Sequence, residues 1–440
     1  MTASGPNPKK EGPKKEGRAQ IKTFGCRLNI WESEVITRHV DDAGLDDLVI
    51  VNTCAVTAEA EKQARQAIRK SRRDHPEKQI IVTGCAAQIN PDDWSSLPEV
   101  DAVIGNHDKL DPVTWRRLAG ANDDLPSIIG DIMTVRDVAP HLLEGFDGHT
   151  RAFLQIQQGC DHRCTFCIIP YGRGQSRSVP IQTIIDQVKG LVDNGIAEVV
   201  LTGVDVTSWG SDLDGQPTLG MLVRRLLRSV PDLPRLRMSS IDPAEIDEEM
   251  MAAIAEDTRL MPHLHLSAQH GSDLMLKRMK RRHLRDDLLG RVEDLRQIRP
   301  DITFGADIIA GFPTETEDDH AQNLSLIDAA GLTWLHIFPY SPREGTPAAK
   351  MPQLDGGLIK SRAADLRAKA SQAEQKFLLS LIGQDDEVLM ETGGIGHTRQ
   401  FAKARIIGAK MNSPIDVQAG QIYPVKVKSV SDNLVEVELR

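Results

Sequence analysis

Six cysteines, at positions 26, 54, 85, 160, 164 and 167, are the residues whose type and spacing could do chemistry. Cys160, Cys164 and Cys167 fall in C-x3-C-x2-C spacing, directly after the candidate strand AFLQIQQ. Three thiolates on one short loop can hold three irons of a cubane cluster and leave the fourth iron open to bind and activate a ligand. The same loop admits a structural zinc site, which normally takes four protein ligands. His162 is the one further donor inside the loop, and it lies awkwardly between the cysteines. Cys26, Cys54 and Cys85 are dispersed, and taken alone they read as small buried hydrophobes. Each nevertheless sits at the end of an apolar run: IKTFGC, DDLVIVNTC and KQIIVTGC. In an open parallel sheet, ligands gather at the carboxyl ends of strands, so three thiols far apart in sequence could meet at one edge.

The elements that must position these thiols follow from pattern. Residues 19–145 alternate apolar β-branched runs with helix-like stretches, which predicts a small parallel α/β domain. Thr57 is a plausible N-cap, with Glu59 and Glu61 in the first turn and Arg72 and Arg73 in the last, as the helix dipole favours. Residues 146–380 repeat strand–helix units (AFLQIQQ, EVVLTGV, RLRMSS, HLHLSA, FGADIIAGF and LHIFPY as strands), which predicts a full or partial (β/α) barrel. A connecting helix is expected over Ala364–Leu379. Residues 381–440 switch to short strands separated by Gly, Asn and Pro, which predicts a small β-barrel. Residues 1–18, rich in Pro, Gly, Lys and Glu, read as a disordered tail with no apolar core of a secretory signal.

The chain has 440 residues, 26% of them charged and 40% hydrophobic, as in ordinary globular domains. No run approaches the roughly 18 apolar residues of a membrane span, so no membrane partner is expected. A net charge of −10 argues against a generic nucleic-acid binder without excluding a local basic face. Such a face is visible between Gly396 and Lys428, where Arg399, Lys403, Arg405, Lys410, Lys426 and Lys428 oppose the single acid Asp416. The alternation in TRQFAKARI puts several of these cations on one strand face. Phe401 and Tyr423 could supply stacking surfaces for bases. A second basic run, Lys277–Arg285, reads either as a lining for the way to the site or as a solvated helix face. There is no P-loop and no HExxH.

The run GCDHRCTFCIIPYGRGQSRS resembles the cluster loop of radical S-adenosylmethionine (SAM) enzymes, and specifically that of the methylthiotransferases. Phe166 stands where that family has an aromatic residue before the third cysteine. Gly25-Cys26, Asn52-Thr53-Cys54 and Gly84-Cys85 are similar, in order, to the three motifs that hold a second cluster in this branch. The resemblance spans almost the whole chain after the tail, and the terminal β-region resembles the RNA-binding TRAM domain. It implies two [4Fe–4S] clusters, one on Cys160/Cys164/Cys167 and one on Cys26/Cys54/Cys85, with SAM as co-substrate. LTGVDVTSWG, with Gly203 and Asp205, sits where the family holds the SAM amino group, although Glu is the usual acid there. RLRMSSID, with Ser239 and Ser240, resembles the strand end at the ribose. SAQHGSD, with Gln269, resembles a later strand end facing the cavity. GADIIAGFPTET resembles the strand and loop near the adenine.

Within the branch, GCRLN, VNTCAVT and CDHRCTFCIIPYGRGQSRSVP look closest to enzymes that act on N6-threonylcarbamoyladenosine at tRNA position 37. The activity so implied is addition of a methylthio group to adenine C2. The first cluster would cleave SAM to a 5′-deoxyadenosyl radical, and the second would carry the sulfur, methylated by a second SAM. The C2–H bond is too strong and non-acidic for general-base chemistry, so a radical route makes sense. Implied partners are the tRNA anticodon loop, bound through Arg399, Lys403 and Arg405, and an electron donor of flavodoxin or ferredoxin type, in the cytoplasm. The competing readings are methylthiolation of isopentenyladenosine or of a ribosomal-protein aspartate, a two-cluster electron carrier, and a zinc-dependent RNA-binding protein.

Overall fold

The computed structural model describes residues 19–121, 125–136, 150–407 and 417–440. The expected tail, the expected boundary near 145, and Lys410 and Asp416 of the basic stretch lie outside the described residues.

The N-terminal strands Gln20–Thr23, Leu48–Thr53, Gln79–Gly84 and Ala102–Val103 form one parallel sheet in sequence order. Leu48–Thr53 is buried along its whole length, as a strand covered on both faces must be. The helix Ala58–Asp74 begins as its sequence predicts, with the Thr57 hydroxyl accepting from Ala60 N. Cys26 caps the helix Arg27–Asp42, Cys54 directly follows its strand, and Cys85 opens the short helix Cys85–Ile89. All three thiols thus lie at the carboxyl edge of the sheet.

The central region is a curved wall of parallel strands. Arg151–Gln155, Glu198–Thr202 and Arg235–Met238 pair in that order. The wall continues through Ser240–Ile241, His263–Gln269, Thr303–Ala310 and Leu332–Pro339. Among the described pairings, the first and last strands of the wall do not meet, which makes this a partial barrel. A single apolar core runs through it and takes in Trp31 and Val35 of the N-terminal region. The connecting helix is longer than expected, Gly356–Ser380.

The C-terminal strands close into a five-stranded barrel in the order Asp385–Met390, Ile395–Thr398, Lys403–Ile406, Leu434–Leu439, Ile422–Ser431. Its Thr398–Ala402 turn is pressed against the amino ends of the central strands. Trp334 Nε1 and Thr303 Oγ1 both donate to the Gln400 carbonyl, at 3.0 and 3.3 Å. Phe401, at φ +73°, stacks between His263 (5.1 Å) and His397 (4.7 Å). The guanidiniums of Arg151 and Arg237 lie over its ring at 5.3 and 4.9 Å. The expectation that Phe401 offers its face to RNA bases is therefore corrected. An aromatic ring flanked by two imidazoles and two cations gains more from closing this junction than from facing water. No helix among the described residues is long and apolar enough to cross a membrane.

Candidate functional site

The N-terminal triad depends on close backbone approach. Gly25 has φ +97°, and a Cβ there would meet Cys54 Cβ at 2.5 Å and Sγ at 2.7 Å. Gly84 has φ +99°, and a Cβ would meet the Thr53 carbonyl oxygen at 2.3 Å. Only glycine lets the loops before Cys26 and Cys85 fold against the Cys54 loop. Cys54 and Cys85 are buried, and Cys26 is exposed.

Beneath these thiols lies a buried polar network that crosses between domains. Arg173, six residues past the last cysteine of the cluster loop, donates from Nε to Cys85 Sγ at 3.1 Å. Its other nitrogens donate to Glu32 (2.7 Å), Gln158 (2.8 Å) and Asn29 (2.6 Å). Lys109 Nζ donates to Glu32 at 2.7 Å and to Asn52 at 3.1 Å. Asn106 Nδ2 donates to Gly172 O at 2.7 Å and lies 3.7 Å from Cys85 Sγ. Burial alone would raise the Glu32 carboxyl, but Arg173 and Lys109 overcome it and hold Glu32 at about 2. Burial pushes the Cys54 thiol up to about 12, with Cys85 and Cys26 adding to the rise. Burial also raises Cys85, against the pull of Arg173 and Lys109. Burial thus favours the protonated form of Cys54 and Cys85, and a bound metal would displace those protons.

The second triad is pinned to the central barrel. Thr165 donates from Oγ1 to Arg278 O at 2.8 Å and from N to Met279 O at 3.1 Å. Arg281 donates from Nη1 to Cys164 Sγ at 3.6 Å and from Nη2 to Asp242 at 2.8 Å. Burial pushes Cys167 up to about 12, and burial together with Asp205 raises Cys160. Arg278, Arg282 and Arg285 are likewise committed, to Thr314, to Asp242 and to the Gly271 and Gln322 carbonyls. Within the basic run Lys277–Arg285, Arg281 braces the cluster loop at Cys164, Arg278, Arg282 and Arg285 are tied to other parts of the barrel, and Lys277 and Lys280 remain exposed.

The residues expected around SAM sit at carboxyl ends of the central strands. Gly203 packs against Gln157, where a Cβ would lie 3.0 Å from Gln157 Oε1. That oxygen accepts from Val204 N and Asp205 N. Burial would raise Asp205, but His162 at 3.0 Å and the Ser208 hydroxyl at 2.8 Å lower it. Ser239 Oγ is buried without a partner, Ser240 is partly exposed, and Gln269 ends its strand at φ +64°. Phe166 meets Phe312 edge-on at 6.4 Å. Sequence reasoning missed Glu32, Lys109, Gln157, Arg173, Asp242 and Arg281. Arg173 lies inside the quoted run GCDHRCTFCIIPYGRGQSRS, Gln157 in AFLQIQQ, Asp242 ends RLRMSSID and Arg281 falls in Lys277–Arg285; these runs were the available signals, and Glu32 and Lys109 had none.

The donor sets discriminate between metals. Among the described residues, trios of donors within 4.8 Å of one another occur at His265/Asp307/His336 and at His162/Asp205/Glu245, and neither cysteine triad is among them. A tetrahedral zinc about 2.3 Å from each sulfur would draw the sulfurs to about 3.8 Å. His162, the fourth ligand that a zinc reading needs, faces Asp205 instead. Soft thiolates set wider than one ion requires, with no fourth ligand joining either triad among the described residues, suit a cubane with an open iron. Beside the triads lies a cavity of about 650 Å³ lined by Ala55, Ala86 and Ile168, the residues that directly follow Cys54, Cys85 and Cys167, though by none of the cysteines themselves.

Of the basic residues on the terminal barrel, Lys403 and Arg405 are exposed and flank buried Ala404, so they share one outer face. Arg399 instead donates to Asp386 at 2.7 Å beside the junction, and Lys428 pairs with Glu438 at 2.6 Å. Tyr423 is partly buried, and its hydroxyl accepts from Gln418 N.

Comparisons with known proteins identify the family. Residues 154–327 match the model of the radical SAM superfamily, and residues 18–105 match that of the uncharacterized protein family UPF0004. The threonylcarbamoyladenosine tRNA methylthiotransferase MtaB of Rickettsia prowazekii is 50% identical, over 96% of this chain and 97% of its own. The protein of the same name from Bacillus subtilis is 32% identical, with 92% of each chain covered. A tRNA-2-methylthio-N(6)-dimethylallyladenosine synthase of Roseobacter denitrificans is also 32% identical, over 94% and 95%. Among solved structures, the radical SAM methyltransferase TsrM of Kitasatospora setae aligns at a TM-score of 0.57. That alignment has 14% identity over 80% of this chain and 91% of TsrM, a likeness of fold alone.

Proposed function

The chain belongs to the tRNA methylthiotransferases of the radical SAM superfamily, and from that membership we propose how its own residues divide the work. The reaction is attachment of a methylthio group to C2 of N6-threonylcarbamoyladenosine in tRNA. The enzyme uses two [4Fe–4S] clusters and SAM. The observation that carries the reading is the closeness of the two cysteine sets in the chain's packing: the Arg173 guanidinium donates to Cys85 Sγ, and the next residue's carbonyl, Gly174 O, accepts from Cys160 N at 3.1 Å.

In this proposal Cys160, Cys164 and Cys167 hold the SAM-binding cluster, and Cys26, Cys54 and Cys85 hold the sulfur-bearing one. Bound there, the first cluster and SAM supply the radical chemistry that opens the adenine C2–H bond, and the second supplies the sulfur. The protein's part is positioning and exclusion of water. Gln157 ties the Gly203–Asp205 loop to the strand leading into Cys160, so the polar ends of SAM meet a fixed surface. The unpartnered Ser239 hydroxyl, with Ser240, Gln269 and Phe166, completes that surface. Arg281 and Arg173 each put a fixed positive charge beside one cluster sulfur.

The substrate nucleoside is at position 37 of the anticodon loop, and Lys403 and Arg405 bind nearby phosphates. Arg399 contributes less, because Asp386 already holds it. The barrel of residues 381–440 serves as the RNA-binding unit, residues 19–145 as the sulfur-cluster unit and residues 146–380 as the SAM unit. An electron donor of flavodoxin or ferredoxin type and action in the cytoplasm complete the proposal. The test is nucleoside mass spectrometry of tRNA from cells with and without the gene. The 2-methylthio form of N6-threonylcarbamoyladenosine should disappear and its precursor should accumulate. Unchanged levels in the deletion strain would overturn the assignment.

A further inference from the structure

The cavity lined by the neighbours of Cys54, Cys85 and Cys167 holds two arginines that the reaction has not used. Arg65 lies over the Trp94 ring at 4.4 Å, and among the described residues it makes no hydrogen bond or ion pair. Arg343 donates from Nη1 to Glu61 Oε1 at 2.7 Å, while its Nε and Nη2 are buried without a partner. Nε and Nη2 form the side edge of the guanidinium, a fork that matches a carboxylate. Glu61 and Arg65 stand four apart on the helix Ala58–Asp74, so they share a face. Both arginines act on the Glu61 carboxyl, which burial raises and they lower. One guanidinium is thus fixed by stacking and the other by an ion pair, and each keeps donors to spare.

The cavity is not a general anion sink. Asp93, Asp131, Glu61 and Glu344 also line it, which outnumbers the two arginines. A polyanionic RNA backbone gains nothing there, whereas one carboxylate on a nucleoside could be gripped by two placed forks. The threonylcarbamoyl group differs from an isopentenyl group in ending in such a carboxylate. A volume of about 650 Å³ is ample for a modified nucleoside.

We propose that Arg65, backed by the free edge of Arg343, binds the carboxylate of the threonylcarbamoyl group and so makes the enzyme read the acidic nucleoside. This rests on the reaction proposed above. Arg65 is the discriminating residue, since its guanidinium has no other task among the described residues.

The test uses reconstituted holoenzyme and two anticodon stem-loop RNAs. One carries N6-threonylcarbamoyladenosine, and the other carries its methyl ester, which removes the charge. Affinity and kcat/KM are measured for each RNA, with iron content as a check on folding. The wild type should prefer the acid by about 10- to 100-fold, the value of one or two hydrogen bonds to a charged group. Arg65→Gln should bring that ratio close to one by weakening the acid, chiefly in KM, and Arg65→Lys should restore part of it. An Arg343→Lys variant, which keeps a charge opposite Glu61, should lower the ratio less. Equal wild-type affinity for the two RNAs would overturn the proposal, as would an unchanged ratio in Arg65→Gln. A wild type that binds the acid better yet turns over neither RNA would overturn the reaction and leave the carboxylate contact standing.

Discussion

The two cysteine triads solve the same coordination problem in opposite ways. Cys160, Cys164 and Cys167 lie on one loop, so local chain geometry sets their spacing and the barrel needs only to brace it through Thr165 and Arg281. Cys26, Cys54 and Cys85 come from three strand ends, so the sheet register sets their spacing. Backbone at Gly25 and Gly84 permits the approach. The second arrangement is also completed from outside, because Arg173 of the SAM region reaches Cys85 and Glu32. A local site can be built by one segment. A dispersed site inherits the stability of every element that feeds it.

Removing single thiols should break this comparison most sharply. Cys160→Ala should abolish reductive SAM cleavage, whereas Cys54→Ala should still release 5′-deoxyadenosine with dithionite. Neither should form methylthio product. Reconstituted wild type should carry about eight irons, and a Cys160/Cys164/Cys167 triple Ala variant about four. Near-complete iron retention in that variant would sink the two-site assignment.

Next in size is the buried cation under the dispersed triad. Arg173→Met leaves Glu32 with Lys109 and the Gln158 amide but without its second cation, and strips donors from Gln158 Oε1 and Asn29 Oδ1. Denaturant unfolding should show a loss of about 3–5 kcal/mol, the range for breaking a buried charge network. Iron should be lost chiefly from the N-terminal site. Arg281→Met should cost less, because Arg282 remains on Asp242 at 2.9 Å. Equal losses in the two variants would mean that the dispersed site is no more dependent on its surroundings than the loop.

Acid should separate the regions by a smaller margin. Glu32 is held at about 2 against an ordinary 4.5. Its folded value is depressed, so its stabilisation is present above about pH 4.5 and drains away as pH falls toward 2. The full amount is roughly 3 kcal/mol. Iron-free wild type should lose that stability across the window, and Glu32→Gln should start lower and lose less. Parallel pH curves for the two proteins would remove Glu32 from the account.

The smallest effect concerns the terminal barrel. Replacing Lys403 and Arg405 by Ala should reduce the log–log salt slope of tRNA binding by roughly 0.7–0.9 per lost phosphate contact. Arg399→Ala should change the slope less, since Asp386 already holds that side chain. An unaltered slope in the double variant would show that RNA enters across another face.

Much of the protein was determined by the sequence alone. The C-x3-C-x2-C loop, the Thr57 cap, the strand–helix alternation and the late change to short strands are local patterns. They specify the parallel sheet, the partial barrel and the small closed barrel in order, because periodicity and capping act within a few residues. Even the meeting of Cys26, Cys54 and Cys85 was legible, since a parallel sheet gathers its strand ends on one edge. What opposes a given polar side chain was not legible. Arg173 finds Glu32 across 141 residues and Cys85 across 88. Phe401, which reads as a base-stacking ring on an alternating strand, is instead taken into the junction by His263 and His397. Arg281, inside the basic run Lys277–Arg285, turned out to brace the cluster loop through Cys164 and Asp242. Tertiary structure alone decided these roles. A charge or a ring takes its lowest free energy from whichever partner packing brings within a few ångströms, and no local spacing encodes that partner.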